Sequence, residues 1–239
     1  MAVHLRLIRA GLVLGAIFQF VATTLIPPPT GSYNTTLITA ALIDYSRLDP
    51  FAPTPQYRAL MVSVFNPIPP AACSPFFAPY MVSKTAEFED AQFAQFGILP
   101  GTFESLELQV CQPITKNKRA SLSQPYPPDI HASFPQKHPV ILFSGGLAGS
   151  RLFYSIIAQQ ISSTGYIVVT IDHPYDAGIV TFPDNSTILA ANITTDDQIV
   201  LSLNTRAKDI SFVLDQLSRP HVAKSLSALA PDDSRVGVF

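Results

Sequence analysis

Charged side chains are scarce. Asp, Glu, Lys and Arg make up 13% of the 239 residues, and their formal sum is −2. A chain this poor in charge is not a disordered solvating segment, and it offers a polyanion no basic surface, which excludes nucleic-acid binding. Cysteine is scarcer still, with Cys73 and Cys111 alone. An even pair leaves two readings open, one disulfide made in an oxidising compartment or two buried thiols. The chain also lacks any G-x-S-x-G, the pattern of the strained strand-to-helix elbow that presents a nucleophilic serine.

What is present is apolar. Hydrophobic residues reach 47%, enough for one good core and a small extra lobe. Twenty-two prolines crowd the first half and imply irregular connections there. Arg6 and Arg9 precede an apolar run from Ala10 to Ile26, the n-region and h-region of a secretory signal, so residues 1–23 read as a leader cleaved near Ala22 or Thr23. The run falls short of the ~20 clean apolar residues that a membrane span prefers. Three glycosylation sequons, at Asn34, Asn185 and Asn192, agree with secretion and an extracellular location.

The stretch Pro139 to Asp176 organises the rest. Val140–Phe143 is a continuous apolar run, as in a strand buried on both faces of a sheet. Ser144, Gly145, Gly146 and Gly149 follow, where the backbone must turn or lie close to something. Leu152, Ile156, Ile157 and Ile161 recur at helical spacing until Gly165, and Tyr166–Ile171 is a second β-branched run ending in Asp172 and His173. This is a βαβ unit. Two chemistries use such a turn. A dinucleotide site would take Gly146 and Gly149 as its second and third glycines and Asp172 as the ribose acid, with Ser144 where the first glycine belongs. An α/β-hydrolase instead draws an oxyanion-binding N–H from the turn.

Around this unit, residues 24–135 read as edge strands and Pro/aromatic-rich loops, and residues 136–239 as the first half of the core. Thr35–Ile43 and Arg58–Phe65 are expected to form an antiparallel edge pair, joined through a charged turn at Asp44–Phe51. Pro67–Tyr80 reads as a loop. Ser83 or Thr85 is expected to cap a short helix running to Phe96, with Glu87, Glu89 and Asp90 in its early turns. Phe76, Phe77, Phe88, Phe93 and Phe96 either fill a small core or present a greasy surface to lipid, and the core is favoured. Leu106–Cys111 reads as a strand and Lys116–Arg119 as a solvated basic loop. Thr195 opens a long helix to Arg219 with Ile199, Leu203, Ala207, Ile210, Leu214 and Leu217 as its apolar stripe. Arg206 and Asp209 read as an ordinary surface pair on it. A short amphipathic piece covers Val222–Leu229, and Arg235–Phe239 begins another buried parallel strand.

The run FSGGLAGSRLFYSIIAQQISSTGYIVVTIDHPYDA, with DYSRLDPFAP, RALMVSVFNP and the two cysteines upstream, resembles the plasma-type platelet-activating factor acetylhydrolases, and their secreted fungal relatives most closely. Gly145 departs from the F-S-H-G-L pattern common in that family. The resemblance implies an α/β-hydrolase fold, with a mostly parallel sheet and an antiparallel N-terminal edge. It implies a Ca²⁺-independent serine esterase with no metal or cofactor, removing short or oxidised acyl groups from the sn-2 position of phospholipids in lipid catabolism. Its triad runs Ser, Asp, His along the chain, and Leu147 matches the residue whose N–H helps bind the oxyanion. Arg235–Phe239 resembles the strand entering the nucleophile elbow, so the chain is read as an N-terminal portion, expected not to turn over ester by itself. His138, Asp172, His173 and Asp176 are not assigned to a triad. A membrane surface is a further partner to be tested beside the phospholipid or other short-acyl ester substrate, and two other classes stand as alternatives: a non-catalytic secreted binding protein or pseudo-enzyme, and a nicotinamide-dependent oxidoreductase.

Overall fold

The computed structural model describes residues 23–113, 137–219, 222 and 231–239. The leader, the Lys116–Arg119 loop and nearly all of Val222–Leu229 lie outside them.

The strands are β1 (Thr24–Leu25), β2 (Asn34–Leu48), β3 (Tyr57–Ile68), β4 (Cys73–Pro79), β5 (Leu106–Pro113), β6 (His138–Ser144), β7 (Ile167–Asp172), β8 (Ile179–Thr181), β9 (Thr187–Leu189) and β10 (Pro231–Val238). The helices are α1 (Ser83–Phe93), α2 (Ser155–Ser162) and α3 (Asp196–Leu217). The central sheet has the order β10-β6-β7-β3-β2. β10, β6 and β7 pair in parallel, while β3 is antiparallel to both β7 and β2. Four of its five strands therefore point one way and β3 alone runs against them. β2–β3 is the expected edge pair, and β6–α2–β7 is the expected βαβ unit.

The apolar runs are continuous because both faces of this sheet are covered. Side chains alternate across a strand. Leu60, Val62, Val64, Val140, Leu142, Ile167, Val169 and Ile171 meet Val213 and Leu217 of α3 on one face. Phe65, Ile141 and Val168 pack on the other against Ala158 of α2 and against Met81, Leu108 and Val110. Full burial of one such side chain stabilises the fold by about 1.5–3 kcal/mol. A second sheet, β1-β5-β4, stands beside that second face, and Cys73 of β4 is bridged to Cys111 of β5 with Cα atoms 5.2 Å apart.

Several local expectations are corrected. β2 runs on to Leu48 past a register shift after Asp44, and the turn comes at Asp49, whose N–H reaches the Gln56 carbonyl at 2.9 Å. Cys73–Pro79 is a strand rather than loop, because its backbone ladders onto β5. Val82 occupies the N-cap of α1 without a side-chain cap, while Thr85 is buried against Thr181 at 3.0 Å. The acids of α1 do not simply face its N-terminus: Asp90 turns inward to accept the N–H groups of Gly101 and Phe103. The phenylalanines divide. Phe93 packs edge-on against Phe103 and Phe153, and Phe76 joins the core, whereas Phe77 and Phe96 are exposed.

Only part of each expected apolar stripe meets the core: Leu152 and Ile161 at α2, and Ile210, Leu214 and Leu217 on α3. α2 buries Ser155, Ala158, Gln159 and Ser162 and exposes Ile156 and Ile157. Thr195 does cap α3, in a capping box with Gln198. That helix then buries Ser202, Thr205, Asp209, Val213, Gln216 and Leu217, leaving Ile199 and Leu203 in solvent. Only its C-terminal half packs on apolar residues.

Candidate active site

Parallel strands place ligands beyond their C-terminal ends, and β6 ends at Ser144. The turn that follows is pinned atom by atom. The Gly146 N–H donates to the Tyr154 hydroxyl at 2.9 Å, and the Gly146 carbonyl accepts from the Gly149 N–H at 3.0 Å. Ala148, in left-handed backbone at φ 63°, donates to the Asp176 carbonyl and accepts from the Gly178 N–H, both at 3.0 Å. The Gly145 carbonyl takes a hydrogen bond from the Arg206 guanidinium. The N–H groups of Gly145 and Leu147 donate to nothing among the described residues, and the Leu147 side chain is exposed. An unpaired N–H held in a fixed turn is what an oxyanion needs.

Gly145 leaves room for the ring of Tyr154. A Cβ there would lie 2.5 Å from Cε2 of Tyr154, whose ring occupies the space a side chain at 145 would take. Gly149 is nearly as crowded by the same hydroxyl, at 3.0 Å.

Beneath the turn lies a buried polar chain that the sequence reading did not assemble. The Ser144 hydroxyl is 3.0 Å from Nε2 of His173, and Nδ1 of His173 is 2.9 Å from Oδ2 of Asp209. Arg58, 1% exposed, donates from Nη2 to Asp209 at 2.7 Å and from Nη1 to Asp49 at 2.7 Å and the Pro174 carbonyl at 2.9 Å. Arg47 adds a bond to the other Asp209 oxygen at 3.0 Å. Burial pushes the Asp209 carboxyl up, but the hydrogen bonds from His173 and Arg58 and the charge of Arg58 outweigh it and hold it below the ordinary range. Ionised Asp209 accepts a hydrogen bond from Nδ1–H of His173, which leaves Nε2 to accept from the Ser144 O–H. Burial likewise lowers the tendency of Arg58 to stay charged, yet the bonds and charges of Asp209 and Asp49 raise its pKa.

Asp172 and His173 diverge because they are neighbours on a strand. His173 faces α3. Asp172 faces α2, where its Oδ1 accepts the Arg151 N–H at 2.5 Å and its Oδ2 meets the Arg151 guanidinium. With both oxygens taken and the residue buried, Asp172 cannot hold a ribose, and Tyr154 fills the approach to Gly146 and Gly149. The dinucleotide reading of the turn fails on both counts. His138 sits at the opposite end of β6, its Nδ1 2.7 Å from the Gly165 carbonyl. Asp176 is bound by Arg206 and Ser202. Burial pushes its carboxyl up, and the hydrogen bonds from those two residues bring it below its usual range.

Arg206 and Asp209 are therefore not a surface pair. Each is turned inward to a different partner. A groove of about 830 Å³ between β2 and α3, lined by residues such as Ile43, Arg47, Lys208 and Phe212, includes none of the turn residues. Of the sequons, Asn185 and Asn192 are exposed, Asn185 in the loop between β8 and β9, while Asn34 starts β2 half-buried.

Three likenesses bear on this arrangement. Residues 101–219 match the family described as platelet-activating factor acetylhydrolase, isoform II. A probable 1-alkyl-2-acetylglycerophosphocholine esterase of Arthroderma benhamiae is 36% identical over 229 residues, covering 90% of this chain and 55% of the relative. The solved structure of a ferulic acid esterase from Streptomyces cinnamoneus superposes with a TM-score of 0.64 at 27% identity, over 91% of this chain and 54% of that one. The chain spans about half the length of each of these two relatives. Its sheet order, its pinned turn after β6 and these likenesses agree: the fold is of the α/β-hydrolase type, and the likenesses support the platelet-activating factor acetylhydrolase family.

Proposed function

We propose that these residues form the oxyanion-stabilising portion of a secreted, glycosylated carboxylic-ester hydrolase whose substrate is a phospholipid with a short sn-2 acyl group. The observation that carries this reading is the Leu147 N–H, unpaired among the described residues in a turn whose flanking Gly146 and Ala148 N–H groups and Gly145 carbonyl are bound. As a carbonyl carbon becomes tetrahedral, its oxygen gains charge, and a fixed amide dipole stabilises that charge without reorganising. The relative from Arthroderma benhamiae, by its name an alkylacetylglycerophosphocholine esterase, supports the acyl class. Attack on the carbonyl needs an activated hydroxyl, and no G-x-S-x-G lies in this sequence. The 239-residue chain is therefore expected not to hydrolyse ester.

A second reading has its own observation, the Ser144–His173–Asp209 chain, which would make the protein a self-contained serine hydrolase. It ranks second on physical grounds. Two guanidiniums compete with His173 for Asp209, which weakens the carboxylate's support of an imidazolium. His173 is only 2% exposed, so a charged ring there is costly to bury. Ser144 ends a regular strand rather than standing on a strained elbow.

Incubation of the chain with p-nitrophenyl acetate and, separately, a fluorophosphonate separates the two. No turnover and no adduct supports the first reading. Turnover with a phosphonate adduct on Ser144 replaces it with the second.

A further inference from the structure

An amphipathic helix ordinarily lays its apolar stripe on a sheet, yet α3 buries Ser202, Thr205 and Asp209, turns a half-buried Arg206 inward and exposes Ile199 and Leu203. Burying charge gives little net stability even when it is paired. What this face touches accounts for it. We propose that the buried polar face of α3 is the positioning element of the oxyanion turn, with Arg206 fixing the segment Gly145–Ala148 from both ends and Asp209 fixing Ser144 through His173.

The first route is a closed loop of hydrogen bonds. Arg206 donates to the Gly145 carbonyl and, with Nε at 2.9 Å and Nη2, forks onto the two oxygens of Asp176. The backbone carbonyl of that same Asp176 accepts the Ala148 N–H. Gly146 and Leu147 are the two residues enclosed between these pins. A planar guanidinium suits the task because one group serves a carboxylate and a carbonyl in fixed directions. Asp176 neutralises Arg206, so the clamp acts through geometry and adds no net charge beside the turn.

The second route runs from Asp209 to Nδ1 of His173 and from Nε2 to the Ser144 hydroxyl. The Ser144 N–H is held separately, by the Phe239 carbonyl at 2.7 Å. Arg206 and Asp209 are three residues apart and so share one helix face. Any rotation or slide of α3 would pull both routes at once. The inference rests on the turn being the oxyanion site, but its test does not require that any ester be cleaved.

Amide-resolved hydrogen exchange by NMR on the 239-residue chain tests it, with the Leu147 N–H resonance as a second readout. In Arg206→Gln we expect exchange at Ala148 and Gly149 to accelerate at least tenfold and the Leu147 resonance to move. Protection at Val169 and Val213 should stay as it was. Arg206→Lys should recover part of both effects, since an ammonium can replace one bond of the fork. Ser202→Ala, which removes one bond to Asp176 and spares the clamp, should leave the turn unchanged. In Asp209→Asn the low-field Nδ1–H signal of His173 should disappear and the Ser144 amide should shift. Turn amides indifferent to Arg206→Gln, or a uniform loss of protection reaching Val169, would overturn the proposal. Should Arg206→Gln fail to fold, Arg206→Lys must still perturb Ala148 more than Val169, or the proposal falls. Ester cleavage at Ser144 would remove the first reading of function and leave this measurement standing.

Discussion

Asp172 holds Arg151 at two points, through the Arg151 backbone N–H at 2.5 Å and through its guanidinium, while Nε of Arg151 reaches the Ser63 hydroxyl at 3.0 Å. This ties the start of the α2 segment to β7 and β3 beneath the turn. Both residues are almost fully buried. Removing one partner leaves the other charged and dry, at a cost of about 3–5 kcal/mol. Arg151→Met is expected to lower the urea-unfolding free energy by that amount. The double variant Arg151→Met/Asp172→Leu should recover most of it, since a packed apolar pair of similar volume has no charge to desolvate.

Gly145 and Tyr154 share one space. Gly145→Ala puts a methyl 2.5 Å from the Tyr154 ring, so the ring must swing away and the Gly146 N–H loses its acceptor. A destabilisation of roughly 1–3 kcal/mol is expected, as for other overpacked sites. Tyr154→Phe alone should cost about 1 kcal/mol for the lost hydrogen bond. In Gly145→Ala/Tyr154→Ala the methyl meets no ring, so the losses of Gly145→Ala and Tyr154→Ala, each measured singly, should be strongly non-additive in thermal unfolding. Additive losses would show that the ring does not define this turn.

Glu89 of α1 is buried, with no hydrogen-bond partner on Oε1. Burial, helped by the charge of Asp172, pushes its carboxyl up to about 7 from an ordinary 4.5. The folded chain therefore holds this proton more tightly than the unfolded chain does. Its contribution is full below pH 4.5, is lost as pH rises toward 7, and then stays lost; a gap of that size is about 3 kcal/mol at most. Glu89→Gln should raise stability at pH 8 and change little at pH 4. Asp176 and Asp209 act in the opposite sense. Their depressed carboxyls stabilise the fold above the ordinary carboxylate range and lose that contribution on acidification. Chemical denaturation across pH 3–8 should show a maximum between these limbs, and Glu89→Gln should flatten the upper one.

Strands were the legible part of this chain. β6 and β7 appear as unbroken apolar runs because both faces are covered, and β2 and β3 appear by their β-branched content. Less legible were the places where a backbone ladder, rather than side-chain pattern, makes the strand. Proline-rich Cys73–Pro79 is one, paired along its length to β5. The helices were half legible: Leu152, Ile161, Ile210, Leu214 and Leu217 of the apolar stripes meet the core, and the rest do not. On α3 the branched residues at 199 and 203 point outward, and the polar ones on the neighbouring arc are drawn in by the turn.

The buried cluster left a signal of period two. Arg58 shares a face with Leu60, Val62 and Val64, and Ser144 shares one with Val140 and Leu142, so both lie on the side of β3 and β6 that α3 covers. A charged residue in register with three buried ones calls for a buried partner of opposite sign. Which acid answers it depends on how α3 is rotated, and pattern alone does not set that angle. The Leu147 donor was legible only through family likeness, since an unpaired N–H has no signature in the residue types.

Arg58 and Asp209 are separated by 151 positions, so a ribosome delivers the guanidinium long before the carboxylate that will hold it. Until α3 arrives, Arg58 and His173 must stay hydrated, since Asp49 is the only carboxylate made by then that bonds Arg58. The seating of one late helix thus expels solvent from the cation, the imidazole and the backbone bend together. A nascent chain stalled before that helix would keep a wet, unset version of the cradle on a sheet still missing β10.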